Sequence, residues 1–193
     1  MFVWTDKELN EEQGAVVKDD ANILLVACPG SGKTRTLTYK VANELSKLDS
    51  HKKFVIAITY TNRAANEIKD RIELLGVSTN QLWIGTIHSF CNEWILKPYS
   101  SLLEVLKFGF RIMDANESEN LLSEMCTAYN YPRITHWDCG HYASINGIVQ
   151  GIQYGSKYNN VSAVLQDYFA YLDENNFISY ELMLLYSHQL LNE

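Results

Sequence analysis

Asn22-Ile23-Leu24-Leu25-Val26-Ala27-Cys28-Pro29-Gly30-Ser31-Gly32-Lys33-Thr34 runs from an apolar stretch through a Gly/Pro/Ser turn into a helix-forming segment. The run from Asn22 to Ala27 has the length and unbroken apolar character of a strand buried in a parallel sheet. Ala27 to Thr34 has the form of a phosphate loop: a small residue, four intervening positions including Pro29, Gly30 and Ser31, then Gly32-Lys33-Thr34. Gly30 and Gly32 let the backbone turn with its N–H groups facing a polyanion. A helix beginning at Lys33 adds the positive end of its dipole. Lys33 is placed to reach the β- and γ-phosphates of ATP, and the Thr34 hydroxyl to bind Mg²⁺. Nucleotide binding is the first functional expectation.

Outward from this loop the pattern is regular. Upstream, Asn10-Glu11-Glu12-Gln13 predicts a helix start, with Asn10 as cap and Gln13 as its capping-box partner. Downstream, a helix is expected from Lys33 to about Lys47, with Leu37, Val41 and Leu45 on one face. Phe54 to Thr59 reads as a second buried strand, Asn62 to Leu75 as a helix, Leu82 to Ile84 as a third strand, and a helix follows to about Leu96. Strand and helix alternate as in a parallel α/β sheet. Beyond Pro98 a short strand is expected within Phe108–Met113. Helices are expected over about Glu117–Tyr129, Val161–Asn175 and Ser179–Leu191. Tyrosines at helical spacing, such as Tyr168/Tyr171 and Tyr180/Tyr186, read as packing residues.

The charge divides the chain near Lys97-Pro98. Residues 1–98 hold 12 Lys/Arg and 12 Asp/Glu, whereas residues 99–193 hold 4 and 11. The formal net charge of −7 excludes nucleic-acid binding by bulk electrostatics, so such contacts must be local and lie in the first half. No run of about 18 apolar residues is present and the N-terminus has no signal-peptide pattern, which predicts a cytoplasmic protein without membrane contact. The four cysteines are widely spaced and read as reduced thiols. Cys139-Gly140-His141 with Cys126 upstream lacks the second paired ligand motif of a metal site.

Several segments, taken in order, resemble superfamily 1 DNA helicases of the UvrD/Rep/PcrA type. Leu9-Asn10-Glu11-Glu12-Gln13 is similar to the family's adenine-reading Q motif, which implies that Gln13 reads the adenine edge through its amide. Gly30-Ser31-Gly32-Lys33-Thr34-Arg35-Thr36-Leu37 is close to the family's phosphate-loop segment and adds Arg35 as a nucleotide contact. Ala57 to Ile68 resembles its single-stranded DNA motif, with Tyr60 where an aromatic, usually Phe, stands and Arg63 in place of Lys. An aromatic at a strand end can stack a base, while Thr61, Asn62 and the helix N-terminus can hold phosphate oxygens. Ile84-Gly85-Thr86-Ile87-His88-Ser89-Phe90-Cys91 resembles another DNA-contacting stretch, and Thr86, His88 and Ser89 are its polar contacts. Past Pro98 the likeness is softer, at Phe110–Asp114 and Phe177–Met183.

The resemblance implies a P-loop NTPase of RecA-like fold, with an incomplete parallel sheet in residues 1–98 and a mainly α-helical insertion in residues 99–193. It implies a 3′→5′ helicase using ATP and Mg²⁺ on single-stranded DNA or a single/double-strand junction, with repair or replication proteins as partners. Such a motor also needs an Asp-Glu strand and a second motor domain. Tyr168-Phe169-Ala170-Tyr171-Leu172-Asp173-Glu174 imitates that strand but suits a helix face, with Asn175-Asn176 as its stop. The 193 residues are therefore expected to bind ATP without appreciable turnover. Two other readings stay open: a naturally short, non-catalytic module that binds nucleotide or DNA, and a different P-loop enzyme such as a small kinase. The kinase lacks the late arginines it would need, since only Arg111 and Arg133 follow residue 98.

Overall fold

A computed structural model describes residues 2–5, 7–129 and 132–192. The chain packs as two compact units, Met1–Ile87 and His88–Glu193.

In the first unit, α1 (Glu11–Lys18) starts at the expected capping box. Asn10 Oδ1 accepts from the Gln13 N–H at 2.8 Å, and Gln13 Oε1 accepts from the Asn10 N–H at 3.1 Å. Helix α2 (Lys33–Lys47) follows the phosphate loop. Asn43, buried on α2, donates to the Val17 carbonyl at 3.0 Å and so fastens α2 to the end of α1. Strand β1 (Val55–Thr59) and β2 (Leu82–Thr86) are parallel, in register from Val55↔Leu82 to Thr59↔Thr86, and α3 (Asn62–Leu74) connects them. The two strands, consecutive in sequence, are thus neighbours in the sheet and joined by a βαβ crossover. Val41, Ala42 and Leu45 of α2 pack with Ala57 of β1 and Ile68 and Ile72 of α3 to form the core.

Three expectations fail here for one physical reason. Asn22–Ala27 does not form a strand. Strand conformation is held by ladder hydrogen bonds to a neighbour, and among the described residues this segment has no ladder partner, because β1 and β2 pair only with each other. Leu24 and Val26 are consequently 88% and 83% exposed. Without a strand beneath it, the loop end of α2 leaves Leu37 exposed, although Val41 and Leu45 on the same stripe are buried. β1 is likewise covered on one face only: Ala57 is buried, but Ile56 and Ile58 are exposed.

The unit boundary falls within α4 (Ile87–Phe90), which runs on as a π-helical turn at Cys91–Leu96 and ends in α5 (Lys97–Tyr99), a little beyond the expected stop. In the second unit, β3 (Arg111–Ile112) and β6 (Phe177–Ile178) form a minimal parallel pair. Helix α6 (Ala115–Cys126) is started by a second capping box, Asp114 with Glu117. Helix α7 (Tyr158–Glu174) buries Val161, Val164, Leu165, Tyr168 and Leu172, a stripe at helical spacing. The Asp-Glu lookalike is thereby helix, as its apolar spacing indicated. Tyr168 is a packing residue whose hydroxyl donates to Ser118 Oγ at 3.0 Å, whereas Tyr171 and Tyr180 of the same spacing pattern are exposed. Helix α8 (Tyr180–Asn192) closes the described chain.

Sequence reading had assigned no strands between α6 and α7, yet β4 (His141–Ser144) and β5 (Gly147–Gln150) form an antiparallel hairpin. Its signal was present: Gly147 directly after the two-residue turn Ile145-Asn146, at φ 122°, which a side chain would strain. Cys126 and Cys139 are buried with their sulfurs 3.6 Å apart, and both thiols are free. Burial pushes the Cys139 thiol up to about 12, which keeps it protonated and inert.

The hairpin is tied to α8 by His141 and Glu181, whose Nε2 and Oε2 lie 3.7 Å apart. Burial alone would lower the imidazole, but Glu181 and the Cys139 carbonyl outweigh it and raise His141 above 6.5. Burial would raise Glu181, but His141 and Ser179 bring it down to about 2. The raised histidine stabilises the fold below its unfolded value of 6.5 and loses that contribution as pH rises through its folded value. The lowered glutamate stabilises above its unfolded value of 4.5 and loses that contribution as pH falls toward about 2. The melting temperature of the parent should therefore exceed that of Glu181→Gln most between 4.5 and 6.5, with the gap narrowing on both sides. Parallel pH dependence of the two proteins in thermal melts would refute the coupling.

Candidate nucleotide and single-strand site

The phosphate loop sits between residues 22–27 and α2, with Gly30 at φ 80° and Gly32 at φ 88°, both in the region that glycine alone enters without strain. Helix α2 has no side-chain cap, and its first helical bond runs from the Thr36 N–H to the Gly32 carbonyl at 2.9 Å. The amides ahead of Thr36, from Gly32 to Arg35, are left without helical acceptors, which is the geometry that receives phosphate. A Cβ on Gly32 would stand 2.8 Å from Gln13 Nε2, so the cradle depends on the absent side chain there. The residues present fit a nucleotide polyphosphate.

Lys33 turns back onto its own loop, donating to the carbonyls of Ala27 at 2.6 Å and Cys28 at 2.9 Å. Ser31 Oγ donates to the Cys28 carbonyl at 2.7 Å. Gln13 reaches across from α1, its Nε2 donating to the Ser31 carbonyl at 3.0 Å. The Q-motif glutamine and the loop, separated by the 22–27 segment in sequence, are therefore in direct contact.

One cavity of about 410 Å³ gathers Gln13, Gly30, Ser31, Gly32, Lys33, Thr34 and Arg35. Ala27 and Pro29 are not on its wall; Ala27 serves through its carbonyl, as the acceptor for Lys33. Sequence reading missed one wall residue, Arg71 of α3. Its guanidinium is aimed by Glu67 one turn earlier, at 2.6 Å. The signal available was the position of Arg71 off the buried Ala65–Ile68–Ile72 face of an otherwise amphipathic helix. Among the described residues, no group of three or more His, Cys, Asp or Glu side chains could hold a metal ion. A cation here would be carried by the nucleotide's phosphates with Thr34 as its protein ligand, the usual manner for Mg²⁺.

The first unit's strand-contact candidates, Tyr60, Thr61, Asn62, Arg63 and Thr86, lie at the C-terminal end of the parallel pair, where α/β sheets place their ligands. Tyr60 follows β1 and is 98% exposed, its ring unused by the core. Thr61 caps α3, its Oγ1 accepting from the Ala64 N–H at 3.2 Å, which leaves its hydroxyl hydrogen for a phosphate oxygen. Asn62 and Arg63 are exposed on the first turn of α3. Thr86 ends β2, opposite Thr59 in the ladder. His88 and Ser89 lie past the boundary in the second unit, where the His88 ring is 5.0 Å from that of Tyr180.

Residues 9–193 match the family model described as the UvrD/REP helicase N-terminal domain. The ATP-dependent DNA helicase UvrD1 of Mycobacterium tuberculosis is 37% identical over 113 residues, covering 58% of this chain and 14% of the relative. The ATP-dependent DNA helicase PcrA of Staphylococcus epidermidis is 33% identical over 126 residues, covering 64% and 17%. The ATP-dependent DNA helicase SRS2 of Saccharomyces cerevisiae is 36% identical over 124 residues, covering 61% and 10%. The chain thus aligns with no more than about a sixth of the length of these relatives.

Proposed function

The chain belongs to the UvrD/REP helicase N-terminal domain family, and from that premise we propose that it supplies the ATP- and single-stranded-DNA-binding part of an ATP-dependent 3′→5′ DNA helicase. Residues 1–98 are read as the first part of a RecA-like P-loop domain and residues 99–193 as a mainly helical insertion. Mg²⁺ accompanies the nucleotide, and the DNA is a single strand or a single/double-strand junction. The observation that carries this reading is the single cavity shared by Gln13, the phosphate loop and two arginines.

Each wall has a chemical task. The orphan amides and Lys33 hold the β- and γ-phosphates, and Thr34 ligates Mg²⁺. The Gln13 amide offers one donor and one acceptor to the adenine edge. Arg35 and Arg71 add charge around the phosphates and ribose. At the sheet end of the first unit, Tyr60 stacks a base while Thr61, Asn62, Arg63 and Thr86 hold the strand, and His88 and Ser89 of the second unit are read as its further polar contacts. No helix among the described residues is long and apolar enough to cross a membrane.

The test is displacement of a fluorescent ADP from the chain in the presence of Mg²⁺. ATP should compete at least about tenfold better than GTP, whose edge reverses the donor and acceptor that an amide reads on adenine, a mismatch of about 1.4 kcal/mol or more. Arg71→Ala should weaken ATP about fivefold, since an exposed guanidinium contact is worth about 1 kcal/mol. Equal competition by ATP and GTP would remove Gln13 from the reading. An unchanged Arg71→Ala would leave that arginine a surface residue.

A further inference from the structure

A second cavity, of about 260 Å³, lies in the insertion unit among α6, the 136–140 turn, β4, α7 and α8, and the proposed helicase function makes no use of it. Its wall includes Glu119, Trp137, His141, Tyr168, Tyr180 and Glu181. The His141 side chain is only 9% exposed, yet its Nε2 has no hydrogen-bond partner: the nearest carboxylate oxygen, of Glu181, is 3.7 Å away. The Nδ1–H is committed, donating to the Cys139 carbonyl at 2.9 Å. Once its Nε2 proton is released, the imidazole in this tautomer presents a lone pair at Nε2 beside the Glu181 carboxylate. Both are then acceptors: Nε2 has no donor, and Glu181 keeps Ser179 as its side-chain donor.

The other walls restrict what that donor can be. Trp137 is 79% exposed and Tyr180 is exposed at the same cavity, so two aromatic faces are open to a ligand. The Tyr168 hydroxyl is already committed to Ser118 and offers nothing. Glu119 adds a second carboxylate at the rim. The surroundings are acidic as well: residues 99–193 hold 4 Lys/Arg against 11 Asp/Glu, and Lys107, Arg111 and Lys157 are already paired with Glu104, Glu117 and Asp138. A polyanion is repelled from such a face and a cation is drawn to it. A planar cation with several donors satisfies every wall together, forking onto a carboxylate and a ring nitrogen while lying against an aromatic face.

We propose that this cavity is a receptor for an arginine side chain presented by a basic segment of a partner protein. Glu181 and the neutral His141 Nε2 accept from the guanidinium, Trp137 and Tyr180 flank it, and Glu119 strengthens the field. Binding is coupled to a proton. With no ligand, Glu181 is neutralised by an imidazolium, which must release its proton before the guanidinium can take its place. The charged and titratable groups that share the cavity wall with His141 are Glu181 and Tyr180 from α8, Glu119 from α6, His136 and Cys139 from the turn, and Tyr168 from α7; Asp138 of the same turn is held by Lys157 at 2.8 Å.

The probe is the capped peptide acetyl-Gly-Arg-Gly-amide, titrated by NMR while the His141 ring resonances are followed. Affinity should be roughly tenfold tighter at about pH 8 than at about pH 6, one proton being displaced per peptide. The lysine counterpart should bind several-fold more weakly. Trp137→Ala, at a site too exposed to disturb the core, should lose about threefold, and Glu181→Gln should lose both the binding and its pH dependence. Equal affinity at the two pH values overturns the proposal, as does indifference to Trp137→Ala. Displacement of the peptide by an oligo-dT strand would assign the cavity to DNA instead and overturn it equally.

Discussion

Lys33→Ala should raise the dissociation constant for MgATP about 100-fold while leaving the folding stability of the chain within about 0.5 kcal/mol of the parent. The two halves of this expectation have separate grounds. In the structure the Lys33 ammonium donates to the carbonyls of Ala27 and Cys28, and the side chain is exposed. Removing it forfeits two hydrogen bonds at the surface of a loop whose carbonyls water can reach, so little stability is at stake. In the complex the same ammonium would leave the carbonyls for the β- and γ-phosphates, where hydrogen bonds between charged groups contribute about 1.5–3 kcal/mol each. Part of that is offset by breaking the two loop contacts, which leaves about 3 kcal/mol and hence about 100-fold. Calorimetric titration with MgATP, alongside denaturant unfolding of both proteins, separates the two halves. Retention of affinity within about threefold would remove Lys33 from the phosphate site. A large loss of stability would instead mean that the lysine holds the loop together.

The helices of both units were legible because their determinants are local. Asn10 with Gln13 and Asp114 with Glu117 are capping boxes written within four consecutive residues, and both form. The buried faces of α3 and α7 follow the helical period residue by residue. What failed was what depends on a distant partner. Asn22–Ala27 has the composition of a buried strand, but composition cannot supply a ladder neighbour, and the described structure leaves it unpaired and exposed. The β4–β5 hairpin was overlooked for the opposite reason: Asn146-Gly147 at the exit of its turn is a local signal, but its strands mix His141, Tyr142 and Gln150 with only weak alternation.

The candidate site divides along the same line. The motif order placed Gln13 and the phosphate loop in one functional reading, and the contact of Gln13 Nε2 with the Ser31 carbonyl puts them at one cavity. Arg71 escaped because its one signal, a place off the buried face of α3, is shared by any surface arginine paired with a glutamate one turn earlier, and only the fold of α3 beside the loop brings it to the cavity wall. His141 and Glu181 are also invisible as a pair, since a hairpin and a terminal helix must meet before either is perturbed.

Tyr60→Ala should weaken binding of single-stranded oligo-dT by about 1–3 kcal/mol, or roughly 5- to 150-fold, without altering stability. The ring is 98% exposed, so truncation uncovers no core surface and leaves no cavity. It follows β1 at the C-terminal end of the parallel pair, next to the exposed first turn of α3, where Asn62 and Arg63 can hold the backbone of the strand whose base it stacks. Stacking and phosphate contact are distinguishable by salt. A base on a tyrosine releases no counterions, so Tyr60→Ala should shift affinity equally at every ionic strength. Arg63→Ala should instead flatten the dependence of log K on log salt by about 0.7, the share of one phosphate on a single strand. Tyr60→Phe keeps the π-face and should retain most of the affinity. Fluorescence anisotropy of labelled oligo-dT across a salt series reads all three. Unchanged affinity in Tyr60→Ala would mean the exposed ring serves another purpose. A changed salt slope in that variant would mean that the tyrosine orders the phosphate contacts of α3 rather than stacking a base, because an uncharged side chain can alter counterion release only by moving the charged groups beside it.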